Sequence, residues 1–249
     1  MFFERKGHLF IARFAELFRD RVIYHGFSTR KGGVSRSQYR SLNLGYGTGD
    51  SVDRVEKNRN LFFRSMGISL NSTAVPEQIH GIRIARVTEP GKYSETDGLV
   101  TDTPGISLVV QVADCLPIYF YDLHRKVIGL AHAGWKGTVL RISSKVVLEM
   151  KHQFGTHSQD LWVFFGPSIG PCCYDVGQDV SGQFSSKYLS RGKLDLWQIN
   201  RDLLVETGVK PERIVMSRLC TVCHPEWFYS HRASGGSTGR MMAILGLRD

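Results

Sequence analysis

The nearly continuous apolar run at residues 106–112 restricts the fold of this chain more than any other feature. Strands that are buried on both faces read as such runs, because neither side of the strand contacts water. The run therefore predicts a strand inside a sheet that other parts of the protein cover.

Predicted strands follow one another with few helices between them. Besides the run above, apolar patterns predict strands at residues 22–24, 82–87, 118–121, 127–131, 161–165, 214–216 and 242–245. Helical spacing and capping residues predict helices at 51–66, which Gly67 would stop, and at 138–150 and 195–207. A doubly wound parallel sheet would need a helix between most strands, so the pattern favours an α+β fold of mixed sheets with helices packed outside.

Composition narrows the class of protein. The chain has 249 residues without an internal repeat or a Pro/Ser-rich linker, which predicts one domain over residues 1–249. Its formal net charge is +9, but Lys and Arg are scattered. We therefore expect a generally basic surface, with phosphate-bearing small molecules as a second interpretation and nucleic acid as a poor one. Since no segment has the pattern of a signal peptide or a membrane span, we expect a cytoplasmic protein.

Three short motifs each set one soft metal ligand beside glycine or proline. They are Gln78-Ile79-His80-Gly81, Ala113-Asp114-Cys115-Leu116-Pro117 and His132-Ala133-Gly134-Trp135-Lys136-Gly137. Each lies at a predicted strand end, where a sheet can hold a side chain rigidly. Two imidazoles and one thiol suit a catalytic zinc ion that keeps a fourth position open. His80, Cys115 and His132 are thus predicted as metal ligands and catalytic residues, with Cys115 as a nucleophile the alternative.

The other four cysteines give a weaker signal. Cys220, Cys223 and His224 match the Cys-x-x-Cys-His pattern of covalent haem attachment, but no export signal accompanies them. A zinc site would need a second Cys-x-x-Cys, and adjacent cysteines such as Cys172 and Cys173 rarely chelate one metal together. We interpret these thiols as structural or as supports of nearby ligands, and we expect Cys220 to be the pocket residue among them.

A glycine-rich stretch near the N-terminus predicts an anion site. Residues 27–35 resemble a phosphate-cradling loop but lack the Gly-Lys-Ser/Thr ending of a Walker motif. Arg30 precedes two glycines there, and its guanidinium could grip a phosphate with two hydrogen bonds. Asn43 follows in Ser41-Leu42-Asn43-Leu44-Gly45, where it could hydrogen-bond a base or a sugar. Both are predicted substrate-binding residues.

Together these motifs resemble the YfiH-like family, also called the laccase-domain or multicopper polyphenol oxidase family. Further motifs that carry the resemblance are Asn58-Arg59, Asp97-Gly98-Leu99-Val100-Thr101, Gly166-Pro167-x-Ile169-Gly170, Cys173-Tyr174-Asp175-Val176 and Phe228-x-Ser230-x-Arg232. The resemblance implies a layered α/β/β/α sandwich of mixed sheets, related to the catalytic domain of a deamidating toxin. The family's zinc ligands fall on His80, Cys115 and His132, the residues already selected by their chemistry.

The resemblance also implies an enzyme. Its leading form is a zinc-dependent purine nucleoside phosphorylase that acts on adenosine, inosine and methylthioadenosine, with adenosine deamination as a further activity. One alternative is an amidase that removes L-serine from a nucleotide-linked peptidoglycan precursor. Another is a copper polyphenol oxidase, but the nine histidines include no His-x-His pair for a multicopper centre. We expect zinc ahead of copper, a nucleoside and phosphate as partners, no contact with nucleic acid or membrane, and a monomer or small homo-oligomer.

Overall fold

Strands outnumber helices in a computed structural model that describes residues 1–248. Its strands are β1 (Phe2–Lys6), β2 (Leu9–Arg13), β3 (Ile23–Ser28), β4 (Thr73–Pro76), β5 (Ile84–Arg86), β6 (Gly91–Tyr93), β7 (Gly98–Thr101), β8 (Ser107–Val112), β9 (Leu116–Asp122), β10 (Val127–Ala133), β11 (Leu161–Phe165), β12 (Leu189–Ser190), β13 (Lys193–Leu194), β14 (Ile214–Met216) and β15 (Met241–Leu247). Its α-helices are α1 (Ala15–Phe18), α2 (Val52–Met66), α3 (Trp135–Val139), α4 (Ile142–Phe154), α5 (Gln178–Ser181) and α6 (Leu196–Glu206). Single 3₁₀ turns lie at Ser37–Tyr39, Leu70–Ser72, Ser158–Asp160, Ser186–Tyr188 and Pro211–Arg213.

The strands form two large mixed sheets. The first has the order β1-β2-β3-β15-β8-β4-β6, the second has the order β14-β11-β9-β10-β7-β5, and β12 pairs with β13 alone. In the first sheet β4 runs parallel to β6 and β8, whereas β15 runs antiparallel to β3 and β8. In the second, β11 pairs with β14 and β5 with β7 in parallel, and β9 and β10 are antiparallel.

Alternating side chains pack the two sheets face to face. On β8, Leu108 and Val110 share a core with Tyr119 of β9, in the other sheet. Val109 points the opposite way and packs with Phe62 of α2. The outer face of β9 packs in the same manner against α4 and α6. The layers are therefore α/β/β/α, as the resemblance implied, and the predicted burial of the 106–112 run is confirmed.

Most predicted elements are present with shifted ends. α2 begins after Ser51 and ends at Gly67, whose φ of 71° is in the left-handed region that glycine adopts easily. α6 begins after Asp195, whose side chain accepts a hydrogen bond from the backbone N–H of Gln198. The single helix predicted at 138–150 is wrong, because the chain turns at Arg141 with a φ of 64° and separates α3 from α4.

Two links between the sheets position the functional residues. The chain leaves the first sheet at the end of β8 and enters the second at β9 after three residues. It makes a similar passage from β4 to β5. None of the helices described within residues 1–248 has both the length and the apolar character that a membrane crossing requires.

Candidate metal centre

The three predicted ligands meet where the chain passes between the sheets. Cys115 ends the link from β8 to β9, and His80 lies in the link from β4 to β5. His132 lies near the end of β10, opposite Pro117 of β9. The ligand atoms of the three side chains lie within 4.8 Å of one another. Residues far apart in the sequence thus share one site because both links end at the same edge of the sandwich.

Asp97 orients both histidines. Its fully buried carboxylate contacts Nδ1 of His132 at 2.8 Å, and since a carboxylate only accepts, that nitrogen donates and Nε2 is left as the ligand atom. The same carboxylate accepts backbone N–H groups from Ile79, His80 and Gly81 at 3.1, 3.1 and 2.7 Å. Burial alone would raise the pKa of Asp97, but these bonds hold it below its usual value. Asp97 is therefore a carboxylate that fixes the His80 loop and the His132 ring together.

Gly134 leaves room for the ligands. A Cβ at this position would lie 2.8 Å from Nδ1 of His80 and 3.1 Å from Sγ of Cys115. Its φ of −78° is open to any residue, so the close approach, rather than the backbone conformation, requires glycine. The side chains of His80 and Cys115 thus lie against the space beside Gly134 that a single methyl group would fill.

The donor set fits a tetrahedral transition-metal ion. Zinc bonds nitrogen and sulfur at roughly 2.0–2.3 Å, so one ion can bridge ligand atoms with the observed spacing. Imidazole and thiolate donors select zinc or copper over magnesium or calcium. Three protein ligands leave a fourth position open, as in catalytic sites. His80, Cys115 and His132 therefore form a possible metal site.

The triad is electrostatically coupled. Burial would raise the pKa of the Cys115 thiol, but His132 and His80 outweigh it and lower that pKa to about 6. Burial would lower the pKa of His132, but Cys115 and Asp97 raise it to about 9. The surroundings therefore favour a thiolate, the form of cysteine that binds metals.

Asp114 fixes the other side of Cys115. It adopts a left-handed conformation with a φ of 86°, which turns the chain sharply between the sheets. Its Oδ1 accepts from the Thr221 hydroxyl at 2.6 Å. Its Oδ2 accepts from the Ser230 hydroxyl at 3.0 Å and from the Arg232 backbone N–H at 2.7 Å. The C-terminal quarter of the chain thus holds the cysteine loop in place.

A cavity of about 1010 Å³ opens beside the triad, which forms part of its wall. The rest of the wall combines aromatic, amide and cationic side chains, among them Tyr46, Arg59, Gln78, Lys92, Gln111, His231 and Arg240. This volume is at the upper end of the range that is usual for small-molecule sites, about 300–1,000 Å³.

Two guanidinium groups of the wall form no salt bridge within residues 1–248. Arg59 donates to the Leu44 carbonyl at 3.1 Å and lies 4.9 Å from the centre of the Tyr46 ring. Arg240 donates to the carbonyls of its two preceding residues at 3.1 Å. Burial lowers the pKa of both side chains from the usual value for arginine. Partly buried cations without carboxylate partners favour an anionic ligand.

Arg30 lies outside the wall of this cavity. Its Nε donates to the Arg40 carbonyl and one terminal nitrogen to the Pro225 carbonyl, both at 3.0 Å. The guanidinium also lies 4.7 Å from the centre of the Tyr229 ring. Arg30 therefore joins two loops, and the structure does not bring it into the wall of the cavity beside the triad.

Asn43 also lies outside the wall and is completely buried. Its Oδ1 accepts from the backbone N–H groups of Gly45 at 3.0 Å and Arg240 at 2.9 Å. Its Nδ2 donates to Thr48 at 2.9 Å and Asp50 at 3.2 Å. Through the bond to its N–H, Asn43 fixes the backbone at Arg240, which lines the cavity.

The remaining cysteines differ from their prediction. The sulfur atoms of Cys172, Cys173, Cys220 and Cys223 lie within 4.8 Å of one another, so the adjacent pair does converge with the Cys-x-x-Cys pair. The expectation that Cys220 is the pocket residue among them is wrong, since it is buried in this cluster and does not line the cavity.

Three residues of the site were not predicted as functional from the sequence. Asp97 and Arg59 lie in motifs that carry the family resemblance, and an acid directly before a buried strand is a signal that could have marked Asp97. Arg240 directly precedes β15, but no spacing or motif connects it with the metal ligands. Only the fold brings it to the cavity.

Known proteins resemble this chain over most of its length. A family model described as "Multi-copper polyphenol oxidoreductase laccase" matches residues 24–248. A Bacillus subtilis protein named purine nucleoside phosphorylase YlmD is 34% identical, over 92% of this chain and 90% of that protein. A purine nucleoside phosphorylase from Deinococcus radiodurans is 39% identical, over 91% of this chain and 90% of that protein. The crystal structure of YlmD from Geobacillus stearothermophilus matches with a TM-score of 0.91 at 32% identity, over 99% of both chains.

Proposed function

The chain belongs to the multi-copper polyphenol oxidoreductase laccase family, which includes the YfiH-like proteins, and we propose that it is a zinc-dependent purine nucleoside phosphorylase. The observation that carries the proposal is one cavity whose wall contains both the three-ligand site and two unpaired guanidinium groups. Phosphorolysis requires a nucleoside and a phosphate side by side, and such a cavity can hold both. Relatives that bear this name support the same reaction.

Phosphate would bind between Arg59 and Arg240. Both guanidiniums lie in the cavity wall and use only backbone carbonyls as hydrogen-bond acceptors among residues 1–248. Each keeps further N–H groups for phosphate oxygens, and charge-assisted bonds of this kind are the strong ones. This assignment moves the anion site from Arg30 to two residues of the cavity.

The nucleoside would lie between the phosphate and the metal ligands. The side-chain amide of Gln111 has no hydrogen-bond partner within residues 1–248, and it faces the cavity half-buried. Gln78 bonds the backbone of Gln111 in both directions at 2.8 Å, which fixes this part of the wall. An amide with a free donor and a free acceptor can bind the edge of a purine.

In the reaction, a phosphate oxygen forms a bond to C1′ of the sugar while the bond from C1′ to the base nitrogen breaks. The base leaves with the bonding electron pair and takes up a proton. A bound zinc ion would supply a Lewis acid with an open position for a substrate oxygen. Asp97 keeps the proton of His132 on Nδ1, and Asp114 holds the turn before Cys115. Copper chemistry of the polyphenol oxidase type fits less well, because the other candidate metal cluster within residues 1–248 contains cysteines and no histidine.

Product analysis tests the reaction. Purified protein with inosine and phosphate should release hypoxanthine and ribose 1-phosphate in equal amounts, and no hypoxanthine without phosphate. Adenosine and methylthioadenosine should react likewise, and ammonia release from adenosine reports the proposed deamination. Serine release from a serine-bearing nucleotide precursor without phosphorolysis would instead assign the amidase activity and defeat the proposal.

Two arginine variants test the phosphate site. Arg240→Gln should raise KM for phosphate by about 10-fold or more, because it removes a charge-assisted hydrogen bond worth about 1.5–3 kcal/mol. Arg30→Gln removes a guanidinium that is likewise bound to two carbonyls but lies outside the cavity. A rise in the phosphate KM for Arg30→Gln alone would return the anion site to the residue that the sequence predicted.

A further inference from the structure

Four cysteines converge at a distance from the catalytic cavity. Cys172 and Cys173 follow β11, and Cys220 and Cys223 follow β14. The Sγ atoms of Cys172 and Cys173 lie 3.5 and 3.4 Å from Sγ of Cys223, and all four sulfurs lie within 4.8 Å of one another. None of the four lines the cavity. The proposed phosphorolysis uses none of these thiols.

The spacing corresponds to metal ligands rather than to disulfides. In a tetrahedral zinc site with Zn–S bonds of about 2.3 Å, neighbouring sulfurs are about 3.8 Å apart. Two of the observed separations, 3.5 and 3.4 Å, lie slightly below that value, and no pair of the four sulfurs is more than 4.8 Å apart. A disulfide would need about 2.05 Å between two sulfurs and would leave the other two without a role. All four thiols are free.

We propose that Cys172, Cys173, Cys220 and Cys223 bind a second zinc ion in a closed, structural site. Four thiolates complete a tetrahedral zinc shell, which leaves no open position for a substrate. Cys220 is buried and its sulfur accepts the backbone N–H of Gly170 at 3.3 Å, a bond that fixes its direction. Cys172 and Cys223 are exposed, so an ion can enter from solvent.

The cluster joins the two segments that support the cysteine loop of the catalytic site. Next to it, Ser168 and Thr221 are tied by a backbone bond of 3.0 Å from the Thr221 N–H to the Ser168 carbonyl. The Thr221 hydroxyl then donates to Asp114, which precedes the ligand Cys115. A zinc ion in the cluster would therefore stabilise this support without touching the substrate.

Metal counting with matched cysteine variants tests the proposal. The wild-type protein should contain about two zinc ions per chain, and Cys223→Ser and Cys115→Ser about one each. Cobalt-loaded Cys115→Ser, which keeps only the second site, should show thiolate-to-cobalt charge transfer and the d–d bands of a tetrahedral thiolate site. A wild type with one zinc ion, lost in Cys115→Ser and kept in Cys223→Ser, would overturn the proposal. A disulfide among the four cysteines in protein purified under reducing conditions would also overturn it.

A second measurement covers the case in which Cys223→Ser does not fold. Chelation of the folded Cys115→Ser protein should lower its Tm by about 5–10 °C, since a tightly bound ion stabilises only the native state. Restoring zinc should reverse the loss. A Cys115→Ser protein that contains no metal before chelator treatment, keeps its Tm after it and shows no cobalt spectrum would refute a metal in the cluster.

Discussion

Asp97→Asn changes one atom of the carboxylate that holds both histidines, at nearly constant shape. In the native protein Oδ1 contacts the His80 N–H and Nδ1 of His132, and Oδ2 contacts the N–H groups of Ile79 and Gly81. In all four contacts the neighbouring N–H group donates and the carboxylate accepts. Because an amide has only one acceptor oxygen, its NH₂ group must face one of these two pairs.

The two orientations of the amide have different consequences. If NH₂ replaces Oδ2, the backbone N–H groups of Ile79 and Gly81 lose their acceptor in partly buried contacts, at about 1 kcal/mol or more each. If it replaces Oδ1, the ring of His132 can accept at Nδ1 only by moving its proton to Nε2, which blocks the ligand atom. We expect a metal affinity lower by about 10–100-fold. We also expect a free energy of unfolding lower by about 2–4 kcal/mol, which lowers Tm by about 5–15 °C in a chain of this length.

Chelator competition and thermal unfolding measure both effects, and Asp122→Asn is the matched control. Asp122 is equally buried, and its Oδ1 accepts the N–H groups of His124 and Arg125 at 3.0 and 3.1 Å. Its Oδ2 has no partner within residues 1–248, so an NH₂ group can replace it without displacing a donor. We expect stability within about 1 kcal/mol of wild type and unchanged metal affinity. If Asp97→Asn matched this control in both assays, Asp97 would not orient the histidines.

Two further changes test the packing of the site and the charge of the core. Gly134→Ala should lower metal affinity by about 10-fold or more, because the new Cβ would lie 2.8 Å from Nδ1 of His80. Equal affinity of variant and wild type in chelator competition would show that the ligands do not need the space that glycine leaves. Burial lowers the pKa of His25 to about 3 from its usual value of 6.5, so the folded protein keeps this side chain neutral while the unfolded chain takes up a proton below pH 6.5. Stability is thus lost as pH falls, by about 2 kcal/mol between pH 6.5 and 5. In His25→Gln the side-chain oxygen can accept the Phe14 N–H, as His25 Nε2 does in the native protein. Denaturant unfolding of this variant should show no loss of stability between pH 6.5 and 5 from this position. The same pH dependence as in the wild type would show that His25 does not cause it.

The centre of the fold was predictable because its strands are apolar on both faces. Short, nearly continuous apolar runs mark four central strands, β8, β9, β10 and β11. Such a run predicts either a buried strand or a buried helix, and the short length of these four runs favours strands. The hairpin of β1 and β2 was missed because Glu4, Arg5 and Lys6 hide the pattern of an edge strand whose outer side faces water. The break at Arg141 was missed because a left-handed conformation at a residue other than glycine leaves no sequence signal.

In the candidate site too, some residues could be predicted from the sequence and others could not. The ligands could be selected by residue type, since few side chains bind zinc and their neighbours glycine and proline mark strand ends. The anion site could not, because Arg30 stands in a more suggestive sequence than Arg240 does. Arg30 donates to the carbonyls of Arg40 and Pro225, which only the folded chain brings near it, and it therefore lies outside the cavity wall. The cysteine cluster likewise depends on two segments that meet through the parallel pairing of β11 with β14.

Metal binding and folding should therefore be linked across the whole sandwich. His80 and Cys115 lie in links that leave the first sheet and enter the second, and His132 lies on β10 of the second sheet, so the three positions come together only when both sheets are packed. Asp97 ties one link to β10, and Asp114 ties the other to the C-terminal segment. An ion bound at the triad would contact both links, and the unfolded chain would offer it no such assembled site. Its binding free energy consequently adds to the stability of the entire two-sheet core rather than to that of one loop.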